Sequence, residues 1–284
     1  MADPPRGTVR LIRGDARRLP TLRDGTVHLV VTSPPYPMIP QWDVLFRRLG
    51  AVDYTAMLQI LEVSWRECFR LLAEGGILAV VIGDALRSGA DGFRLWPNHA
   101  ETLLAARRVG FRPLPYILWK KPTNKPNAFL GSGFLPPNAY VTLDCEFILL
   151  FRKGGLRRFP VHDERRGSSR IRREERDRWF SQIWDDIRGT PQRGPSGRTG
   201  AFPPEIPDRL VRMFSVVGDT VLDPFAGTGT TLWAAASAGR EATGVEWDGR
   251  VYRELVREAA HRGLAQAPAR GRLTRRARQV GPAR

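Results

Sequence analysis

The chain has 284 residues, 42% of them apolar, and carries 45 lysines and arginines against 29 acidic residues. This length suits one large α/β domain with an insertion, and no apolar run reaches the roughly 18 residues needed to span a membrane. The net charge of +16 favours a polyanionic partner, nucleic acid before an anionic membrane surface, although an arginine-rich coding bias would also raise it. The N-terminus lacks a secretory signal, so we expect a cytoplasmic protein.

Short apolar runs bounded by turn-forming residues predict seven buried strands. In chain order they cover residues 9–12, 27–32, 77–82, 116–119, 147–151, 220–222 and 242–245. Apolar residues at helical spacing predict a helix over 54–72 that closes at two glycines, and weaker patterns predict helices near 96–108, 205–214, 230–238 and 250–260. Strands that alternate with helices indicate an α/β fold with a doubly wound, mostly parallel sheet.

A proline-rich tetrapeptide, Ser33-Pro34-Pro35-Tyr36, follows the second predicted strand. Taken alone, it fits a proline turn that ends a strand at the sheet edge where open α/β sheets bind ligands. It also suits chemistry on the exocyclic amino group of a nucleobase, whose nitrogen lone pair is delocalised into the ring. The Ser33 hydroxyl and the rigid Pro34 carbonyl can each accept a hydrogen bond from one N–H of the amino group, and Tyr36 can stack on the base.

Two longer segments interrupt the strand and helix pattern. The segment 123–140 is rich in Asn, Pro and Gly and too long for a passive turn, so we expect either a loop that closes over a bound base or a decorative surface loop. From Arg152 to Arg198, basic residues outnumber acidic residues two to one, which predicts a basic insertion. Residues 262–284 contain seven arginines and no acidic residue, as is typical of a flexible basic tail.

A glycine-rich turn, Gly227-Thr228-Gly229, lies between a predicted strand and a predicted helix. Glycines let a backbone approach a ligand, and the N–H groups of a helix N-terminus favour an anionic group. The lysine of a phosphate-binding P-loop is missing before Thr230. Glu246 ends the next strand, where an acidic side chain can accept hydrogen bonds from ribose hydroxyls. These features predict an adenosyl ligand, with a dinucleotide and an ordinary tight turn as alternatives.

Together these motifs resemble the amino-directed DNA methyltransferases, specifically the permuted (beta) group in which the catalytic tetrapeptide precedes the cofactor motif. Residues 32–36 match the catalytic motif, and residues 223–231 match a cofactor loop of the type Asp-Pro-Phe-x-Gly-x-Gly-Thr-Thr. The resemblance extends over most of residues 8–260. Supporting matches are residues 13–15, 75–84, 118–122, 146–153 and 202–206.

This resemblance implies S-adenosyl-L-methionine as cofactor and a seven-stranded, Rossmann-like methyltransferase sheet with one strand reversed near an edge. It implies catalytic roles for Ser33, Pro34, Pro35 and Tyr36. The implied cofactor contacts are Asp15 at the adenine, Glu246 at the ribose, Phe202 and Pro203 at the methionine end, and the loop residues Asp223, Pro224, Phe225, Ala226, Gly227, Thr228, Gly229 and Thr230. Serine in the first tetrapeptide position resembles cytosine-N4 enzymes more than adenine-N6 enzymes, so we expect N4-methylcytosine.

Several alternatives stay open at this point. They are N6-methyladenine as product, methylation of an RNA base, and an inactive methyltransferase fold that only binds nucleic acid. Methylation of cytosine carbon 5 needs a thiolate nucleophile, and neither Cys68 nor Cys145 follows a proline in a loop that could present one. The two cysteines and four histidines show no disulfide or metal spacing, so we expect buried cysteines and no metal.

Double-stranded DNA is the expected partner, and its target base must swing out of the helix to reach the sheet. Arginines of the insertion are candidates for phosphate and guanine contacts, with a solvated, salt-bridged helix as the alternative. They are Arg157, Arg158, Arg165, Arg166, Arg170, Arg172 and Arg173.

We predict a catalytic half over 1–151, a target-recognition insertion over 152–200, a cofactor-binding half over 201–261 and the tail over 262–284. A cognate restriction endonuclease is a further candidate partner, and either a monomer or a homodimer is compatible with the sequence.

Overall fold

The structure is a computed structural model that describes residues 7–89, 92–121, 141–189 and 200–264. The loop expected at 123–140 and nearly all of the basic tail lie outside the described residues. Within the part that is described, no helix is long and apolar enough to cross a membrane.

Strands and helices alternate along the described chain, as the sequence predicts. The strands are β1 (Val9–Arg13), β2 (Val27–Thr32), β3 (Leu72–Ile82), β4 (Ala85–Gly89), β5 (Gly92–Trp96), β6 (Arg112–Pro113), β7 (Ile117–Lys120), β8 (Cys145–Arg152), β9 (Ile183–Trp184), β10 (Thr220–Asp223) and β11 (Glu241–Glu246). The helices are α1 (Asp43–Arg48), α2 (Tyr54–Leu71), α3 (Asn98–Val109), α4 (Glu164–Ser168), α5 (Arg173–Trp179), α6 (Glu205–Phe214), α7 (Thr230–Ser237) and α8 (Gly249–His261). A short 3-10 helix, Pro40–Trp42, precedes α1.

A nine-stranded sheet forms the centre of the molecule, with the order β1-β11-β10-β2-β3-β8-β7-β9 and with β6 paired to β8. From β1 to β3 all pairings are parallel, whereas β8 is antiparallel to β3 and to β7. The seven longer strands of this sheet are the seven that the sequence predicts, and β6 and β9 add two residues each. The mixed α/β fold and the reversed strand near one edge are therefore confirmed.

Both faces of the sheet are covered by helices, which explains why its strands are nearly continuous apolar runs. In β2, Leu29 and Val31 pack with residues of α6, α7 and α8, whereas Val27 and Val30 pack with residues of α1, α2 and α3. One prediction needs adjustment, because α2 ends at Leu71 and β3 begins at once, several residues before the two glycines expected to end the helix.

The chain crosses the sheet in opposite directions from β10 and from β2. After β10 it passes through α7 to β11 on one side, and after β2 it passes through α1 and α2 to β3 on the other. Adjacent strands that diverge in this way leave a crevice at their carboxyl ends, where ligands of open α/β sheets bind. We call this side, where the parallel strands end, the carboxyl edge, and the opposite side the amino edge.

The insertion packs against the amino edge, because β8 runs toward that edge and ends there opposite Ile77. Gly75 has a φ of 77°, and a Cβ atom on it would lie 2.5 Å from the backbone nitrogen of Arg157, so only glycine allows this close approach. Arg157 then pairs with the buried Asp219 just before β10. The chain returns to the carboxyl edge through β9, which is parallel to β7.

Candidate active site

The tetrapeptide lies at the carboxyl edge, directly after β2. Pro34 and Pro35 are buried, and Ser33 and Tyr36 are half-buried. The preceding residue, Thr32, donates a buried hydrogen bond from Oγ1 to Oδ1 of Asp223, at 2.7 Å. This bond joins the strand that carries the tetrapeptide to the strand that carries the glycine loop.

Asp223 organises the start of that loop. Its Oδ1 also accepts from the backbone N–H of Phe225 at 3.1 Å, and the side chain is 3% exposed. Burial raises the pKa of Asp223 to about 6, against the opposing effect of the hydrogen bonds from Thr32, Thr231 and Phe225. The carboxylate is thus held by hydroxyl and backbone donors at the point where β10 and β2 diverge.

The glycine loop adopts a conformation that only glycine takes readily. Gly227 and Gly229 have φ values of 49° and 82°, and a Cβ on Gly229 would lie 2.6 Å from side-chain atoms of Leu255 and Trp233. Trp233 also fixes the loop, because its Nε1–H donates to the carbonyl of Thr228 at 3.0 Å. The loop therefore turns tightly into α7 at the edge of the crevice.

Glu246, at the end of β11, lies beneath this loop. Its Oε2 accepts from the backbone N–H of Gly227 at 3.0 Å, and its Oε1 accepts from the backbone N–H of Asp248 at 2.7 Å. Burial raises the pKa of Glu246, although the two backbone donors oppose this effect. Each carboxylate oxygen keeps a second acceptor position for a ligand hydroxyl.

A cavity of about 400 Å³ opens between the glycine loop and the tetrapeptide. Of the predicted catalytic residues, Ser33 and Pro35 line it, whereas Pro34 and Tyr36 do not. The predicted cofactor residues that line it are Asp15, Phe202, Asp223, Pro224, Phe225, Ala226, Gly227, Thr228, Thr230 and Glu246. Two predicted cofactor residues, Pro203 and Gly229, do not line the cavity.

One wall of the cavity is not apparent from the sequence motifs. It is formed by Trp42, Leu45, Phe46 and Leu49, on and around α1, together with Leu61 of α2. These apolar residues have no motif that marks them, and only the turn of the chain after the tetrapeptide brings them beside the glycine loop. They supply the apolar surface that a pocket for a flat, nucleotide-like ligand needs.

The charges and the volume of this cavity fit an adenosyl cofactor. Its volume is within the range of small-molecule sites. Glu246 and Asp15 offer carboxylate oxygens for ribose or adenine donors, and the N-terminus of α7 offers backbone N–H groups. Partial burial acts to raise the pKa of Asp15, but hydrogen bonds and the charge of Arg17 outweigh it, so the pKa is lowered. Arg17 Nε lies 3.0 Å from both oxygens of Asp15, so this carboxylate is oriented before any ligand binds.

Tyr36 belongs to a chain of polar groups beside Ser33. Ser33 Oγ lies 3.1 Å from Tyr36 Oη, and Tyr36 Oη lies 3.1 Å from Oε2 of Glu146, at the start of β8. Lys121 forms an ion pair with the other oxygen of Glu146. Burial, followed by the charge of Glu146, raises the pKa of Tyr36 well above its ordinary value. The phenol is therefore a neutral hydrogen-bond donor at any physiological pH.

Asn98, the first residue of α3, holds the chain that follows the tetrapeptide. Its Nδ2 donates to the carbonyl of Pro37 at 2.9 Å and to the carbonyl of Gly83 at 3.0 Å, and the residue is fully buried. Sequence reasoning assigned no role to Asn98 or to Glu146. Each contacts residues distant in sequence, so local pattern gives no signal for these contacts.

The seven arginines expected to contact DNA are not brought to this cavity. They follow β8 at the amino edge, where Arg157 Nη2 donates to Asp219 at 2.8 Å and Ser169 Oγ accepts from the backbone N–H of Val217. Arg166 lies over the ring of Phe159, as Arg157 does. DNA contact by Arg157, Arg158, Arg165, Arg166, Arg170, Arg172 and Arg173 stays a prediction.

Metal-ligating side chains and thiols are dispersed in the described ranges. No group of three or more His, Cys, Asp or Glu residues there could hold a metal ion. Cys68 is fully buried in α2, and burial raises the pKa of its thiol, whereas Cys145 is only partly buried, contrary to the expectation of two buried cysteines. The arrangement suits transfer chemistry in which hydroxyl, carbonyl and carboxylate groups position the reactants.

Comparison with known proteins identifies the family. A model described as DNA methylase, N6_N4_Mtase, matches residues 27–257. The chain is 52% identical over 264 residues to the Type II methyltransferase M.MjaI of Methanocaldococcus jannaschii, covering 84% of this chain and 87% of that protein. It is 45% identical over 254 residues to the Type II methyltransferase M.MthZI of Methanothermobacter thermautotrophicus, covering 83% and 71%.

A solved structure agrees with these relatives. The crystal structure of TTHA0409 from Thermus thermophilus, in complex with S-adenosyl-L-methionine, matches with a TM-score of 0.72 and 43% identity, covering 89% of this chain and 95% of that chain. The similarity confirms both the methyltransferase fold and the cofactor that the sequence predicted. The chain belongs to the N6_N4_Mtase family of DNA methylases and is a site-specific DNA methyltransferase that uses S-adenosyl-L-methionine.

Proposed function

We propose that the chain methylates the N4 amino group of a cytosine within a specific duplex DNA sequence. The observation that carries the proposal is the position of Ser33, which lines the same cavity as the glycine loop and follows the strand that Thr32 ties to Asp223. A base amino group held at Ser33 would thus lie next to a cofactor held by the loop.

The residues of the tetrapeptide would act on the amino group by hydrogen bonding. Ser33 Oγ and the Pro34 carbonyl would each accept a hydrogen bond from one N–H of the amino group. These two hydrogen bonds favour a pyramidal nitrogen with an available lone pair. The two buried prolines hold that carbonyl rigidly. Tyr36 would lie against the base and stabilise the positive charge that develops on it. The bound cofactor supplies an electrophilic sulfonium methyl group, and no covalent enzyme intermediate is required.

Four groups of residues would hold the cofactor in this proposal. Glu246 would accept hydrogen bonds from the ribose hydroxyls, and Asp15 would contact the adenine. Phe202 and Pro203 would border the methionine end. The loop from Asp223 to Thr230 would border the cofactor, and the backbone N–H groups at the N-terminus of α7 would lie near its carboxylate.

Cytosine is proposed over adenine because Ser33, rather than aspartate or asparagine, occupies the first tetrapeptide position. This residue is the feature in which the chain resembles cytosine-N4 enzymes. The name of the family includes both N6 and N4, so N6-methyladenine is the product that would contradict the proposal.

Duplex DNA would approach the carboxyl edge and extrude the target base toward Ser33, at a cost of a few kcal/mol for unstacking. The curated relatives are named Type II methyltransferases. We therefore include a cognate restriction endonuclease with the same recognition sequence in the proposal. Residues 1–151 and 201–261 would work as one catalytic unit, because β10 and β11 lie between β1 and β2 in a single sheet.

The test is to express the chain in cells that lack DNA methylation and to digest their DNA to nucleosides. Mass spectrometry should then find N4-methylcytosine, and a Ser33→Ala variant expressed to the same level should give none above background. DNA that contains N6-methyladenine alone would overturn the choice of cytosine. Long-read sequencing of the same DNA would report the modified position and its sequence context together.

A further inference from the structure

Glu146 accepts a hydrogen bond from Tyr36 of the tetrapeptide, and neither the sequence motifs nor the proposed chemistry gives it a role. Its Oε2 lies 3.1 Å from Tyr36 Oη, and its Oε1 pairs with Lys121. Gly83 packs closely against both residues, because a Cβ atom there would lie 3.2 Å from Glu146 Cγ and 3.3 Å from Tyr36 Cε2. The contact is therefore a tightly packed feature of the carboxyl edge.

The chemistry of these groups fixes the direction of the hydrogen bonds. An ionised carboxylate only accepts hydrogen bonds, so the Tyr36 hydroxyl must donate to Glu146. The raised pKa of Tyr36 keeps that proton on the phenol. Having donated its only proton, the Tyr36 oxygen can only accept from Ser33, at 3.1 Å. The single proton of Ser33 is thereby directed away from the cavity, and its lone pairs are left to face a ligand.

We propose that Glu146 is a positioning residue that acts through Tyr36 to keep the Ser33 hydroxyl an acceptor toward the target amino group. The inference rests on the proposed role of Ser33. If the hydroxyl were free to rotate, it could donate to the amino nitrogen and occupy the lone pair that must attack the methyl group. Glu146 removes this unproductive arrangement.

The first experiment measures methyl transfer in a single turnover, with enzyme in excess over a DNA duplex containing the recognition site. In Glu146→Gln the amide can donate to Tyr36 and reverse the chain, so the rate constant should fall by about ten- to a hundredfold, the range expected when a hydrogen bond to a charged group is lost. The dissociation constant for S-adenosyl-L-methionine and the melting temperature should stay close to those of the wild type. Glu146→Asp, which keeps a carboxylate, should recover part of the rate.

A double-substitution cycle separates this role from a structural one. Tyr36→Phe breaks the chain at its middle, so adding Glu146→Gln to it should change the rate by less than about twofold. Lys121→Met leaves the carboxylate in place and should lower the rate less than Glu146→Gln. Glu62→Gln, which alters an ion-paired glutamate of α2 bound to Arg66 and Arg108, is the matched control and should have wild-type activity.

Three results would overturn the inference. They are full activity of Glu146→Gln, multiplied losses in the double variant, and equal losses in Lys121→Met and Glu146→Gln, which would indicate that the ion pair only joins β7 to β8. A failure of the proposed function gives a different pattern, in which Ser33→Ala stays active or the wild type methylates neither cytosine nor adenine. If Ser33→Ala is inactive and Glu146→Gln is not, only the inference fails.

Discussion

The buried Asp219 at the amino edge is paired with a cation, whereas Asp223 and Glu246 at the carboxyl edge are hydrogen-bonded by neutral donors. At the amino edge, the fully buried Asp219 accepts from Arg157 and from the backbone N–H of Val216, so a cation compensates its charge. At the carboxyl edge, Asp223 and Glu246 form no ion pair with any described residue. They accept hydrogen bonds from hydroxyl and backbone N–H groups instead. Burial raises the pKa of both.

This difference distinguishes a carboxylate that stabilises the fold from carboxylates that are available to a ligand. The Asp219 pair ties the insertion to the sheet across 62 residues of sequence. Carboxylates whose pKa is raised in a cleft are typical of functional sites, because the missing compensation is supplied when a ligand binds. Asp223 and Glu246 therefore mark the site better than the arginines of the insertion do.

The largest effect is expected at the carboxyl edge, from Ser33→Ala. Turnover should fall by about a hundred- to a thousandfold, as when one hydrogen-bonding group that positions a reaction is removed. The dissociation constant for S-adenosyl-L-methionine, measured by calorimetry, should change less than about twofold, because the loop residues that hold the cofactor are intact. Equal losses of turnover and cofactor affinity would show that Ser33 is structural.

At the amino edge, Arg157→Ala should affect stability rather than catalysis. The variant leaves the Asp219 carboxylate buried without its cation, and we expect a loss of about 2–4 kcal/mol in the free energy of unfolding, measured with urea. Arg158→Ala, which changes the exposed neighbour, is the control and should leave the unfolding midpoint unchanged. A stable Arg157→Ala variant with weakened DNA binding would reverse the distinction between the edges.

The pH dependence of stability gives a second test of the difference between Asp223 and Asp219. Its folded pKa, about 6, exceeds the ordinary value of 3.8, so between pH 4 and pH 6 the folded state binds more protons than the unfolded state. This group therefore contributes stability at low pH that is lost as the pH rises through that window. Asp223→Asn lacks the effect, and its stability relative to wild type should increase by roughly 2 kcal/mol from pH 4.5 to pH 7.5.

The measurement is urea unfolding of both proteins at the two pH values. A stability difference that does not change with pH would mean that the carboxylate titrates normally and is not buried as described. Asp219→Asn serves as the amino-edge counterpart, because there the carboxylate has a cationic partner and the variant should lose stability at both pH values.

Local pattern was sufficient to predict the framework and the motifs of this molecule. Because both faces of the sheet are buried, each strand is an apolar run that stands out in the sequence, and the helix over 205–214 was predicted with the bounds of α6. The tetrapeptide and the glycine loop could be placed at one edge because each directly follows a parallel strand.

Contacts between distant segments could not be predicted in this way. Glu146 meets Tyr36 across 110 residues, and this contact depends on the reversed direction of β8. The same reversal delivers the basic insertion to the amino edge, which composition alone could not reveal. Trp42 and Phe46 form a cavity wall because of how the chain turns after the tetrapeptide, and no spacing rule marks that turn.

The smallest effect is expected from removing exposed arginines of the insertion, and it decides which edge faces DNA. The triple variant Arg158→Ala, Arg170→Ala and Arg173→Ala removes three positive charges at the amino edge. Its DNA affinity should stay within about threefold of wild type, with an unchanged slope of affinity against salt concentration, because these residues follow β8 at the edge of the sheet opposite Ser33.

A matched triple variant removes three exposed charges at the carboxyl edge, namely Arg94→Ala, Lys120→Ala and Arg188→Ala. If each of these residues binds a phosphate, the salt slope should become shallower by about 0.9 for each phosphate that is no longer neutralised, and affinity should fall for specific and non-specific duplexes alike. Titrations of labelled duplex at several salt concentrations measure both quantities. The opposite outcome, with a shallower slope only in the amino-edge triple, would establish the insertion as the DNA-binding surface and would require the duplex to reach around the sheet to deliver its base.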